Sequence, residues 1–190
     1  MQDEHFARVR EGDYHLADRD QMREMWNRWW YDEFDFALDV PDDAELVELE
    51  VGGERFDLAL LSGIAPLACE GFKRHLPYER QIIHCVFFGH AAYWLDRIDL
   101  GPTQLENRTT RFLPGEFIWE PWIKEITFAY GRWAEVRMPT PTIWEQGVLH
   151  PQQAQVFAKI VPGQVTRFAH TIRRTRYEGS MLMTARLKAA

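Results

Sequence analysis

Cysteine, positive charge and long apolar runs are all scarce in this chain, and each shortage excludes a class of protein. Cys69 and Cys85 are the only two cysteines in 190 residues. They are too few for a disulfide scaffold and lack the paired spacing of a zinc site, so both read as small apolar core residues. Lys and Arg number 22 against 29 Asp and Glu, giving a formal net charge of -7. That is the wrong sign for neutralising phosphates, so nucleic acid is not an expected partner. No stretch approaches the roughly 18 apolar residues of a membrane span, and no leading apolar run resembles a signal peptide. The expectation is a cytoplasmic protein without a membrane partner. Phosphate-cradling glycine loops, dinucleotide fingerprints and nucleophile elbows are missing too, and no short spacing of His, Cys, Asp and Glu marks a metal site. Neither cofactor nor metal is expected.

Apolar residues, by contrast, make up 46% of the chain and aromatic residues 14%. That is enough for one core in one domain, and it is rich enough in rings to suggest an aromatic-lined cavity or a partner surface as well. Charge is unevenly spread. Acids crowd the first fifty residues, as in Asp39-Val40-Pro41-Asp42-Asp43-Ala44-Glu45, whereas Arg167, Arg173, Arg174 and Arg176 cluster near the end. The two ends can attract one another, although a solvated surface is the simpler reading of such runs.

Residues 1–44 read as an N-terminal helical extension, and residues 45–190 as the folded domain. In the extension, Met22, Met25, Trp26, Trp29 and Trp30 recur at helical steps. A Trp-rich stripe of that size is expected to be buried against the domain or a second copy of the chain, which points to a homo-oligomer. Leu46–Val51 and Arg55–Leu61 alternate apolar and polar residues on either side of Gly52-Gly53 and predict a hairpin with a primed turn. Pro66 suits the first turn of a helix that Pro77 stops, with Gly71 weakening it slightly. Further strands are expected near 81–88, 91–95, 108–112, 117–120, 124–130, 133–138 and 156–161, and a last helix near 164–177. Many short strands with turn signals and one crossover helix predict a mainly β, closed barrel.

From about Val47 to Val161 the order of elements and words resembles the cyclophilin-like superfamily, in particular a bacterial branch of small cyclophilin-like barrels. The matching words are Ala65-Pro66 with Phe72 and Leu76-Pro77, Ile83-His84 with Gly89, Glu106-Asn107, Pro114-Gly115-Glu116, and Glu125 with Tyr130-Gly131. The resemblance implies a closed barrel plugged by the crossover helix, with the C-terminal helix over the second opening. It also implies that Cys85 stands where cyclophilins carry the arginine that stabilises a twisted prolyl amide, which argues against prolyl isomerase activity. Related barrels act on small amides or accompany the catabolism of nitrogenous acids.

Among candidate site residues, His84 lies on an apolar strand. It is either a core histidine satisfied by a backbone carbonyl or a general acid or base facing a pocket. Glu106-Asn107 is expected at a barrel rim, where a carboxylate beside a carboxamide can meet a substrate's N–H and C=O groups, Asn107 alternatively making an Asx turn. Glu125, Tyr130 and Trp94 complete the candidate substrate-binding set, with a cross-strand salt bridge the simpler role for Glu125 and core packing for Trp94. His84 and Glu106 are the candidate catalytic pair, expected to share one cavity with Asn107. The leading reading is a small-molecule-binding barrel that hydrolyses or isomerises a small amide or carboxylate metabolite. Its alternative is a non-catalytic binding subunit or interaction module, with prolyl isomerase last.

Overall fold

The computed structural model describes residues 40–102, 104–138 and 150–189. They fall in the second of two units into which the chain divides, Phe34–Ala190. The N-terminal helical extension expected to carry Trp26, Trp29 and Trp30 lies outside the described residues.

Gly52 and Gly53 take φ values of 60° and 81°, the left-handed pair that a primed two-residue turn requires. They join β1 (Leu46–Val51) to β2 (Glu54–Leu60). Helix α1 (Pro66–Lys73) then crosses to β3 (Tyr78–Cys85), which turns into β4 (Gly89–Trp94). Two short strands, β5 (Arg108–Thr109) and β6 (Arg111–Phe112), precede β7 (Glu116–Glu120) and the long β8 (Glu125–Glu135). A separate two-stranded pair, β9 (Arg137–Met138) with β10 (His150–Pro151), precedes β11 (Ala154–Ile160). Helices α2 (Val165–Arg173) and α3 (Thr175–Glu178) lead to β12 (Met181–Leu187).

Eight antiparallel strands close into a barrel in the order β2-β1-β12-β3-β4-β8-β7-β11, with β11 returning to β2 through Ala158↔Leu60 and Ile160↔Leu58. Closure removes the unpaired edges that an open sheet would expose. β12 was not expected. It slots between β1 and β3, pairing Val47 with Leu187 and Ile82 with Met181. Its alternation is weak to the eye because Met and Ala occupy the inward positions Met183 and Ala185, both buried. The strand expected over 81–88 ends at Cys85, and Val86 lies 78% exposed at the hairpin tip. The two strands expected over 124–138 are mostly one.

The barrel interior is filled, not hollow. Phe117 and Phe128 stack at 4.6 Å, Trp94 meets Phe128 edge-on at 5.6 Å, and Phe168 of α2 packs on Phe56 at 5.3 Å. At the other end Phe72 of α1 meets Phe157 at 5.3 Å and Trp94 at 6.0 Å. Gly71 is a requirement of this plug, not a weakness in it, because a Cβ there would run into the backbone carbonyl of Leu100. Both cysteines are buried, and burial pushes the Cys69 thiol up to about 11 and the Cys85 thiol up to about 12. Basic residues near the end of the chain pair with acids of the first hairpin, Arg167 with Glu54, Arg186 with Glu48 and Lys188 with Asp57, whereas Glu45 of the acidic run pairs with Lys73. These pairs are largely exposed and contribute little to stability.

Candidate functional site

Strand alternation turns His84 of β3, His90 of β4 and Tyr130 of β8 to the inner side of the barrel wall, the side of Ile82, Ala92 and Phe128. The Tyr130 hydroxyl lies 2.8 Å from His84 Nδ1, which is also 3.2 Å from the Ala91 carbonyl oxygen. A carbonyl only accepts, so one consistent assignment puts the proton on Nδ1, shared between Ala91 and Tyr130, and leaves the lone pair on Nε2. His90 lies nearly parallel to the Tyr130 ring, 25° between planes and 6.0 Å between centroids. Gly131 makes that stacking possible, since a Cβ there would come within 2.7 Å of His90 Cβ.

Helices α2 and α3 bring positive charge to this cluster. Arg176 hydrogen-bonds Tyr130, and its field reaches both His84 and His90. Arg173 acts on His90, Tyr130 and His170. Burial, reinforced by the Arg176 guanidinium, holds His84 below the usual histidine range. The same two causes, joined by His84 and Arg173, bring His90 down to about 4. Burial pushes Tyr130 up to about 12 against the pull of Arg176. At neutral pH the cluster is therefore two uncharged imidazoles and a phenol beside permanent cations. Arg176 and Tyr177 are exposed, and Arg173 and both histidines are half-buried, so the group opens toward solvent.

His84 and Tyr130 are thus brought together, and Glu106 and Asn107 are not with them. Glu106 caps helix α1: its Oε1 accepts the Leu67 N–H at 3.1 Å and its Oε2 the Ala68 N–H at 3.0 Å. These are among the first N–H groups of a helix, which have no partner inside it, and the helix's own capping residue, Ala65, offers no side-chain bond. The Glu106 N–H is held by Gln155 Oε1 at 2.9 Å, and Gln155 pairs with Trp119. Trp119 stands opposite Ile126, at the Trp94 end of the barrel wall, whereas His90 and Tyr130 lie toward the other end. Asn107 donates to the Val156 carbonyl at 3.0 Å and accepts from the Val156 N–H with its own, docking the loop on β11. Trp94, read as a possible cavity wall, is fully buried among Phe72, Tyr78, Phe117 and Phe128. Glu125 faces another acid, Glu120, where a salt bridge was the simpler expectation.

The capping geometry gives a direct expectation. Glu106→Ala should lower stability by about 1–2 kcal/mol, the usual worth of a helix cap, in urea unfolding. A loss of function with unchanged stability would instead assign Glu106 to chemistry.

Three participants escaped the sequence reading. His90 reads as a turn residue after Gly89, yet it alternates with Ala92 and Trp94, which is the signal of its inward direction. Arg173 and Arg176 read only as the basic face of a helix. Among the described residues no group of three or more His, Cys, Asp or Glu stands together as a metal cage, and no helix is long and apolar enough to cross a membrane.

No protein-family model matches the sequence, and no curated protein matches it. Among solved structures, McbB in complex with tryptophan is similar at a TM-score of 0.57 and 17% identity, over 76% of this chain and 45% of that one. The hypothetical protein AF2241 from Archaeoglobus fulgidus gives a TM-score of 0.48 at 10% identity, over 80% of this chain and 100% of that one. This chain thus spans less than half of the McbB chain, and what the two are shown to share is the barrel fold.

Proposed function

We propose that the protein is a cyclophilin-like barrel that binds a small metabolite carrying a carboxylate, at the His84–Tyr130–His90 cluster beneath α2 and α3. The observation that carries this reading is the juxtaposition of uncharged, hydrogen-bonding side chains with the Arg173 and Arg176 guanidiniums. An arginine fork matches the two oxygens of a carboxylate, and a neutral imidazole supplies a neighbouring donor or acceptor. McbB, whose structure shares this fold over less than half its length, was solved with tryptophan, a carboxylate-bearing small molecule. The Nε2 lone pair of His84 is suited to take a proton from an attacking water, for hydrolysis, or from a carbon beside a bound carbonyl, for isomerisation, and these are the reaction classes the site fits. Cys85 lies on the opposite side of the wall with its thiol pushed up to about 12, which supports small-molecule chemistry over prolyl isomerisation.

Calorimetric titration with a panel of short carboxylates and their matching neutral amides tests the site. A carboxylate is expected to bind, with affinity falling at least about tenfold in Arg176→Met, the loss of a charge-assisted hydrogen bond. If the site is catalytic, His84→Ala should lower turnover of the bound compound by about 10²–10⁴-fold. Equal binding of amides and acids, unchanged in Arg176→Met, would remove the basis of the proposal.

A further inference from the structure

On the outer side of the barrel wall two carboxyl groups face one another across strands. The register sets Glu120 at the end of β7 opposite Glu125 at the start of β8, and both alternate with Ile118 and Thr127, away from Trp119 and Ile126 of the core. Glu120 is fully buried, and neither of its carboxyl oxygens has a hydrogen-bond partner. Glu125, half-buried, accepts from Thr127 Oγ1 at 3.1 Å. Tyr93 stands opposite Thr127 on β4 and Cys85 opposite Ala91, and both lie within the field of Glu125. Arg97 is the cation whose field reaches Glu125.

Buried polar groups are hydrogen-bonded in nearly all native proteins, and an ionised carboxylate away from water costs several kcal/mol unless it is paired. Glu120, with no donor on either carboxyl oxygen, facing Glu125, whose Oε1 has only the Thr127 hydroxyl, therefore describes a pair with acceptor capacity that the protein leaves unfilled. We propose that Glu120 and Glu125, with the Thr127 hydroxyl that Glu125 engages, bind a protonated primary amine. An ammonium group brings three N–H donors and needs three acceptors around it, which two carboxylates and a hydroxyl supply. A divalent metal ion usually draws on a larger set of protein oxygen or nitrogen donors; among the described residues no group of three His, Cys, Asp or Glu could hold one, and burial keeps the nearby Cys85 thiol protonated. Ile118, Cys85 and the Tyr93 ring give the same face an apolar lining for a short carbon tail. Trp122, 65% exposed in the turn between the two acids, offers a ring to a cation approaching from solvent.

The site lies on the opposite side of the wall from His84, so it stands or falls independently of the carboxylate site. Melting curves and calorimetry on the full chain, with n-butylammonium and benzylammonium at pH 6 and pH 8, test it. Butyrate, Mg²⁺ and Ca²⁺ serve as controls. The ammonium ions should raise the melting temperature, more at pH 8 because binding must draw protons off the pair, and calorimetry in buffers of different ionisation enthalpy should detect proton release. Glu120→Gln and Glu125→Gln, each close in shape to the protonated acid, should fold and weaken the ammonium affinity at least about tenfold, the worth of one charge-assisted hydrogen bond. His84→Ala should leave it unchanged. Absence of an ammonium response at both pH values, an equal response in Glu120→Gln, or a response to Mg²⁺ or Ca²⁺ with none to the amines would overturn the proposal.

Discussion

Truncating Phe72 to alanine should lower the unfolding free energy by about 3–5 kcal/mol, the range found when a buried phenylalanine leaves a cavity behind. Phe72 is fully buried and joins the plug helix to both sides of the barrel, packing on Trp94 and on Phe157. The cavity has little freedom to collapse. Helix α1 is tied on one side by Gly71 against the Leu100 backbone and at its start by the Glu106 carboxylate, so it cannot slide inward to refill the space. Urea unfolding monitored by tryptophan fluorescence measures the effect, since Trp94 and Trp119 are buried. A loss under about 1 kcal/mol, well below that range, would mean that the plug is dispensable and that the barrel closes without it.

Replacing Glu120 by glutamine should make the protein more stable at pH 9, by about 1–3 kcal/mol, and should flatten its stability between pH 6 and 9. Burial, with the neighbouring Glu125, raises the Glu120 carboxyl from 4.5 to about 9, and burial raises Glu125 to about 7. In the unfolded chain both acids lose their protons at ordinary carboxyl values. Between those values and the raised ones the folded state therefore binds more protons, so stability falls as pH rises. The contribution of Glu125 is complete below 4.5 and is lost through about 7, and that of Glu120 is lost through about 9. The histidines act in the opposite direction at lower pH. His84, His90 and His170 are held below 6.5, so the folded state resists protonation that the unfolded chain accepts, and stability falls as pH drops below that value. Chemical unfolding at half-unit pH steps separates the two limbs. A glutamine variant that reproduces the original alkaline slope would show that Glu120 ionises freely in the native state.

The candidate site was only partly legible. His84 and Tyr130 were singled out as separate residues, and the fold placed the hydroxyl of one 2.8 Å from the ring of the other. The expectation failed to see that Glu106 belongs to a helix 38 residues earlier in the chain, because a carboxylate on a loop looks the same whether it faces a ligand or an orphan N–H. Glu120 closes an alternating run, Ile118 and Glu120 on one side and Phe117 and Trp119 on the other, yet an acid next to a turn is ordinarily solvated. Its burial depends on the side of the wall it shares with Ile118 and Ala129.

What the sequence by itself determined was local. The Gly52-Gly53 hairpin follows from positive φ flanked by alternation, the plug helix from Pro66 at its start and Pro77 beyond its end, and the closed, mainly β architecture from many short strands around one crossover. The hairpin and the helix depend on neighbours a few residues apart, where steric preference and periodicity act directly, and the architecture was read from the number of such local elements, although closure itself joins Ala158 to the distant Leu60. Tertiary structure alone decided the insertion of β12 between β1 and β3, the capping of α1 by Glu106, the delivery of Arg176 to Tyr130, and the facing of Glu120 by Glu125 on a buried wall. Those outcomes turn on which distant segments pair and in what register. A one-residue slip would send each of these side chains to the other face, and only closure of the whole barrel excludes the alternatives.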